Sequence, residues 1–562
     1  VGIVDVPGHE DFVRTMVAGA SGIDLLLLVV DAQEGIRPQT LEHLAIAEQL
    51  GVPAGIPVLT KADLPDAEWL ELVRQDLQDR LARSSIAFEP VAVVSALTGQ
   101  GIPELLERLR ARAVAAGGPP RRDDLFRMPI DRAFSLAGAG TVVTGTVWSG
   151  TVRPGDLVVA EPGSASGRVR SVESFGKPAP AAVPGARTAI GVAGVERAAV
   201  GRGQVLVTQG APWRATEIVD VVLALLPDAP RSVASRTRLR FHHGTAEVMG
   251  RAYPRGEIMP GTSGLARIVL EAPMVLRGAD RFVVRSYSPV QTIGGGWVAD
   301  PCPPRQSSWP AGLASPDPVL RLESLVARRP GGVSTRFVPV LTGWTPSEAE
   351  TAVEADDALV VVSERIGLRT WLTEAQALLM ERVQRAHRDD PSMPGLSQET
   401  LRGALGAMSW LADAALEGLV GDGHLTRSAG VVAVPGFAPR SAGGAGEVAA
   451  VVEAVTRAGL EPPTVRELGE RLAVPDLDGA IRIAVSQGQL ELLERDRYIS
   501  REALDRFTAV VREVGAGHGD LSPAALRDRL GLSRKFLIPL LEWADRAGVT
   551  RRDATGQRTL VA

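Results

Sequence analysis

The chain has 562 residues, 45% of them hydrophobic and 23% charged, a globular composition with enough length for several domains. A formal net charge of −5 excludes a uniformly basic nucleic-acid coat, so any RNA contact must come from local patches. The single cysteine, Cys302, excludes disulfides and a cysteine-rich zinc site and suits a reducing cytoplasm, and the apolar run at 23–32 is too short to span a bilayer.

Residues 1–116 alternate short apolar strands with helices, the pattern of a parallel α/β sheet. Strands are expected at the opening run, at 25–30, 56–59 and 91–94, and helices at 39–50, 67–83 and 102–115. Three signals follow strand ends, where open α/β sheets bind ligands: Asp5-Val6-Pro7-Gly8, Thr60-Lys61-Ala62-Asp63, and Ser95-Ala96-Leu97. By itself Asp5-x-x-Gly8 is more simply a turn after a buried strand. All three in order point to a guanine-nucleotide site. Asp5 would hold the magnesium shell, and the Gly8 N–H would meet a γ-phosphate. Asp63 would accept two hydrogen bonds from guanine, a pairing adenine cannot make, while the Lys61 stem lies along the base. The Ala96 N–H would meet the guanine oxygen, and His9 stands where a water-orienting group is needed.

The run Asp5 to Phe12, with Met16 and Gly19, resembles the translation-factor GTPases that carry aminoacyl-tRNA. In that family the histidine at the place of His9 positions the attacking water. The resemblance implies GTP or GDP as ligand, with Mg2+. The phosphate cradle Gly-x-x-x-x-Gly-Lys-Ser/Thr should precede residue 1. The chain has only three lysines, Lys61, Lys177 and Lys535, and none is followed by Ser or Thr. The expectation is therefore a GTPase domain missing its first strand, phosphate loop and first switch. Its exposed apolar surface should favour aggregation or local disorder.

After a Gly/Pro linker at 116–120 the texture changes to β-branched runs with glycine turns, indicating β-barrels at 121–212 and 213–304. The run at 134–145 resembles the first barrel of the same GTPases. The runs Arg240 to Ala246 and Asp280 to Pro289, with Thr292-Ile293-Gly294-Gly295-Gly296, are similar to bacterial selenocysteine-specific elongation factors. His242 and His243 lack an evident third metal ligand. Hairpins recur near 357, 423, 488 and 547, each after a helical pair, which indicates four winged-helix modules at 317–373, 374–440, 445–500 and 501–562. The last is basic: from 521 on, eight Lys/Arg stand against four acids. There Arg527, Arg551 and Arg552 accompany Ser533-Arg534-Lys535-Phe536 at the start of the recognition helix, where cations reach phosphates and an aromatic can stack.

The resemblance to the selenocysteine-specific factors covers essentially the whole chain. It implies delivery of selenocysteinyl-tRNA to ribosomes paused at a recoded UGA, with the last module gripping an mRNA hairpin and the factor acting as a monomer without a membrane. In that family an aspartate-arginine pair and a second arginine form the selenocysteine pocket, and Asp131, Arg132 and Arg187 occupy the matching places. A selenolate is anionic at neutral pH and a serine hydroxyl is not, so a cationic pocket discriminates by charge; the two arginines could instead simply pair with Asp131 or Glu173. Two other readings remain open at this point: a general tRNA-carrying GTPase, and a non-catalytic RNA-binding adaptor.

Overall fold

The computed structural model describes residues 3–6, 17, 23–115, 121–136, 140–306, 308–428, 430–441, 444–516, 520–553 and 557–561. They form two compact units divided between Arg369 and Thr370.

In the first unit, strands β1 (Leu26–Asp31) and β2 (Ala54–Thr60) run parallel, and β2 also pairs with the short β3 (Ala87–Phe88) and β4 (Ala92–Val93). The crossover helices are Pro38–Gln49 and Ala67–Leu81, and Ile102–Ala115 closes the domain. Their apolar faces meet the sheet through Leu44, Ala47, Val73, Leu77 and Leu81, all buried with Leu28, Val30 and Leu59. Asp66 caps the second helix by accepting the Trp69 N–H at 2.8 Å, and the Trp69 indole reaches back to the Ala32 carbonyl. The opening run departs from expectation: residues 3–6 form no strand, and Ile3 is 87% exposed. A strand needs a hydrogen-bonded neighbour, and β1 pairs only with β2 among the described residues.

The first β domain is an eight-stranded antiparallel sheet along the path β5-β12-β8-β9-β11-β7-β6, with β10 (Lys177–Pro178) added to β9. Its members are β5 (Arg127–Pro129), β6 (Arg132–Leu136), β7 (Gly140–Thr146), β8 (Leu157–Glu161), β9 (Ala165–Ser174), β11 (Arg187–Ala193) and β12 (Val205–Thr208). The ladder is open between β5 and β6, and an isolated bridge joins Arg127 of β5 to Ser149, just past β7. The second β domain closes fully as a six-stranded barrel: β13 (Ala215–Leu225), β14 (Thr237–His243), β15 (Ala246–Pro254), β16 (Ser263–Val275), β17 (Arg281–Ser286) and β18 (Thr292–Asp300). Its core holds Phe241 stacked on Phe282, with ring centroids 4.6 Å apart.

Helix Pro38–Gln49 lies across β17 and β18, which explains Gly295, while Gly294 and Gly296 lie against the backbone of β13 at Ala224 and Val222. A Cβ on Gly295 would stand 2.7 Å from the Gln49 Cβ and 2.5 Å from the Phe282 carbonyl oxygen. Glu42 seals this joint by accepting from the Thr292 hydroxyl at 2.8 Å.

Buried ion pairs join the β domains to the first helical module. Arg277 forks onto Asp124 with two bonds of 2.8 Å and also donates to the carbonyls of Pro339 and Trp344. Arg127 pairs with Asp280, to which His243 also lies within 3.0 Å. Arg328 bridges Asp220 and Asp300, while Arg267 binds Asp220 and Arg329 binds Asp300. That module contains helix Pro318–Ala327 and a sheet of β19 (Val333–Ser334), β21 (Arg365–Leu368) and β20 (Leu359–Val362).

The second unit repeats the helix-plus-wing pattern. Its hairpins are β23 (Thr426–Ser428) with β24 (Val431–Ala433), β25 (Leu490–Glu494) with β26 (Arg497–Ser500), and β27 (Thr550–Arg552) with β28 (Arg558–Leu560); β22 (Leu396–Ser397) joins the first of these. Thr464 and Glu467 form a capping box at helix Val465–Arg471, and Ser522 caps Pro523–Leu530. The last two modules share one core: Leu493 and Ile499 of the third wing pack with Phe507, Leu537 and Leu540 of the fourth module.

Candidate nucleotide, aminoacyl and RNA sites

The parallel register sets Asp31 opposite Thr60 and Leu59 opposite Val93, so two of the three loop signals emerge side by side. The Ala62 N–H donates to the Val94 carbonyl at 3.2 Å, tying the loops together. The Thr60 hydroxyl donates to the Val30 carbonyl at 3.2 Å and so fixes the strand end rather than facing outward. Lys61 turns the chain in the left-handed region at φ 57°, and its ammonium lies 2.7 Å from the Asp31 carboxylate. The contact lowers the pKa of Asp31 and raises that of Lys61, through the shared hydrogen bond first. Asp63 is exposed and has no ion pair among the described residues.

The third loop is a tight coil. The buried Ser95 hydroxyl accepts the Thr98 N–H at 3.1 Å, and the Gly99 N–H returns to the Ser95 carbonyl at 2.9 Å. Gly101 has φ +71°, and a Cβ there would sit 2.1 Å from the Val93 oxygen. This coil presents Ala96 and Leu97 outward, Leu97 being 86% exposed. A free carboxylate, an exposed lysine stem and an outward backbone edge at adjoining loops form a donor and acceptor set that fits guanine. Asp5 is exposed, whereas Pro7, Gly8 and His9 lie outside the described residues.

On the first β domain, Arg132 stands opposite Thr144 and Arg187 opposite Thr146, two positions apart on β7. Cross-strand partners share a face, so both arginines stand on the outer face, while Val143 and Gly145 point inward. Asp131 accepts the Thr144 hydroxyl at 2.5 Å and pairs with Arg187 at 2.6 Å. Arg187 therefore does pair with Asp131. Arg132 is exposed and has no ion pair among the described residues.

In the terminal module Ser533 precedes helix Arg534–Arg546, whose first turn carries Arg534 and Lys535, and Arg551 and Arg552 lie exposed on the wing. Other cations of this segment have carboxylate partners. Arg558 pairs with Asp545 and is buried, Arg529 binds Glu513 at 3.1 Å, and Arg527 binds Asp528 at 2.8 Å. Phe536 is partly buried, with the Arg497 guanidinium 5.5 Å and the Lys535 ammonium 5.3 Å from its ring. It is used within the protein, an outcome the sequence did not indicate. Among the described residues no group of three or more histidines, cysteines and carboxylates could hold a metal, and His242 and His243 lie at the end of β14.

A guanine-type loop pair on a parallel sheet, followed by two β domains and winged helices, defines a translation-factor GTPase architecture. Profiles agree: residues 1–113 match the elongation factor Tu GTP-binding domain, 140–207 elongation factor Tu domain 2, 219–305 the beta-barrel domain of selenocysteine-specific elongation factor, and 514–558 the winged helix of elongation factor SelB. The chain is 33% identical to the selenocysteine-specific elongation factor of Desulfomicrobium baculatum, covering 98% of this chain and 90% of that protein. It is 30% identical to the Escherichia coli one over 98% and 89%. A crystal structure of bacterial selenocysteine-specific elongation factor EF-Sec superposes with a TM-score of 0.68 at 23% identity, covering 99% of this chain and 89% of that one, a likeness of fold. The chain belongs to the selenocysteine-specific elongation factor family.

Proposed function

We propose that this protein is a GTP-dependent elongation factor that delivers selenocysteinyl-tRNA to the ribosome at UGA codons while tethered to an mRNA hairpin. The observation that carries this reading is the pairing, in one chain, of a guanine-type loop pair with a terminal winged helix bearing exposed cations at its recognition helix.

At the base, Asp63 accepts two hydrogen bonds from guanine, the Lys61 stem covers its face, and the loop Ser95-Ala96-Leu97 offers its backbone to the guanine oxygen. Thr60 holds the strand end that aims Lys61. At the other end of the nucleotide, Asp5 would hold the magnesium shell, Pro7 and Gly8 would follow the γ-phosphate, and His9 would orient the attacking water. Magnesium, when bound, supplies neutralisation of the charge that develops on the phosphates. Arg132 and Arg187 attract the selenolate, with Asp131 and Thr144 holding Arg187 in place; a neutral serine hydroxyl gains nothing from this charge. Arg534, Lys535, Arg551, Arg552 and Arg527, with Ser533, contact the hairpin backbone. The tether raises the local concentration of the factor at one codon. The working units are proposed as 1–116, 121–212 and 213–304, followed by modules at 317–373, 374–440, 445–500 and 501–562. Among the described residues no helix is long and apolar enough to cross a membrane.

The test is competition between selenocysteinyl- and seryl-tRNA for the GTP-loaded protein and for its Arg187→Ala variant. A preference for the selenocysteinyl form that falls at least tenfold in the variant supports the pocket. Equal affinities in the unaltered protein would reject the proposed cargo.

A further inference from the structure

Between the closed barrel and the first winged module lies a cavity of about 490 Å³ that takes no part in the sites above. That volume falls in the range of ligand pockets and exceeds what a bare inorganic ion needs. Its walls come from the start of β13, the end of β18 and the β19–β21 edge, all within the first unit.

The cavity is cationic. Arg214 and Arg365 are both exposed, and neither has a carboxylate partner among the described residues. Arg214 sits over Phe337, its guanidinium carbon 4.4 Å from the ring centroid, a contact that uses the π-face and no N–H donor. Arg365 uses one N–H on the Gly331 carbonyl at 2.8 Å, and its other donors remain. Behind them Arg329 belongs to the buried network in which Arg267, Arg328 and Arg329 meet the carboxylates of Asp220 and Asp300. Ser334 and Ser363 contribute hydroxyls, and Glu364 is the one carboxylate in the lining. Its position is set by the wing turn: Ser363 and Glu364 have φ 48° and 61°, and the Glu364 carbonyl accepts the Thr335 N–H at 2.9 Å.

We propose that this cavity is a second phosphate site, distinct from the GTPase loops, that holds a phosphate with its attached sugar by the forked donors of Arg214 and Arg365. Planar guanidinium forks match the oxygens of a phosphate, and the paired charges of Arg214 and Arg365 favour a dianion or a backbone phosphodiester. The source is either an RNA backbone or a free phosphorylated molecule.

Two measurements on the full chain test the assignment: titration with inorganic phosphate, and the salt dependence of binding to a deacylated tRNA. Arg365→Ala is expected to weaken phosphate binding at least tenfold with GDP affinity unchanged. Glu364→Gln is expected to strengthen it several-fold, a gain that misfolding cannot imitate. If the phosphate comes from RNA, Arg365→Ala also lowers the slope of log K against log salt by about 0.9. An altered phosphate affinity with an unchanged slope assigns the site to a free phosphorylated molecule. If the slope is unchanged and phosphate fails to bind, or binds equally to both variants, the proposal is overturned.

Discussion

At the joint around the closed barrel, Arg277 and Arg328 are buried: Arg277 is held by Asp124 and the carbonyls of Pro339 and Trp344, and Arg328 by Asp220 and Asp300. In the terminal module Arg534, Lys535 and Arg551 are exposed, and the Lys535 ammonium lies 5.3 Å from the ring of Phe536 on the same helix. The same cationic chemistry thus does two kinds of work. A buried guanidinium must be matched, because the desolvation cost of an unpaired interior charge is several kcal/mol. An exposed one contributes little to stability and stays available for phosphates. Partner count and burial, not residue type, separate architecture from recognition.

The sharpest way to break this contrast is to unpair the joint. Arg277→Ala leaves Asp124 buried without its fork and should cost about 3–5 kcal/mol in urea unfolding followed by tryptophan fluorescence. A double replacement of Arg277 and Asp124 by methionine and leucine should recover most of that loss. A single-variant cost below about 1 kcal/mol would place the joint with the surface pairs.

A carboxylate in the recognition class should behave oppositely. Asp63→Asn is expected to leave the melting transition in place while lowering GDP affinity about 100-fold, since one strong acceptor becomes a donor facing the guanine donors. Fluorescent-GDP titration beside a thermal melt reads both quantities. Equal losses in the two would move Asp63 into the architectural group.

Acid should find the joint as well. Burial alone would raise the Asp280 carboxyl, but Arg127 and His243 outweigh it and hold the group well below the usual carboxylate range. Its folded pKa is therefore lower than the unfolded value of about 3.9. The stabilisation is present above that value and is lost as pH falls toward the folded pKa. Unfolding free energy measured from pH 6 down to pH 2 should drop, and Asp280→Asn should flatten the curve while costing stability at neutral pH. A variant curve parallel to the original would remove Asp280 as the source.

The smallest expected effects on stability come from the terminal face. Arg534→Ala and Arg551→Ala should each change stability by less than about 0.5 kcal/mol. Each should reduce the salt slope of hairpin binding by about 1. Hairpin binding with an unaltered slope would show that these cations do not meet phosphates.

Local features of the chain were legible in its sequence. Short apolar runs ending in Thr60-Lys61-Ala62-Asp63 and Ser95-Ala96-Leu97 marked parallel strands, because hydrophobic period and strand-end chemistry are local properties. The four wings were readable because each follows helices and a turn glycine or its neighbour at a regular interval. The opening run was not: an apolar pattern cannot supply the neighbouring strand that would pair with it. The open ladder of the first β domain, with its isolated Arg127–Ser149 bridge, was likewise invisible to a pattern of turns and β-branched residues.

Among the candidate residues the same division holds. Sequence and resemblance singled out Asp131, Arg132 and Arg187, but only the register across β6, β7 and β11 sets the two arginines on one face and pairs Arg187 with Asp131. Phe536 looked free to stack on a base, until Arg497 from the preceding wing was found over its ring. Nothing in the sequence tells that Gly295 is the bed of a helix while Gly294 and Gly296 lie against β13. The order of the domains and the chemistry of their loops were thus determined by the sequence alone, because motifs and periodicities are written within a few residues. Tertiary structure alone decided which charges are spent on the fold. Arg277 and Asp124 are 153 residues apart, and nothing local distinguishes either from a surface charge until folding removes both from water.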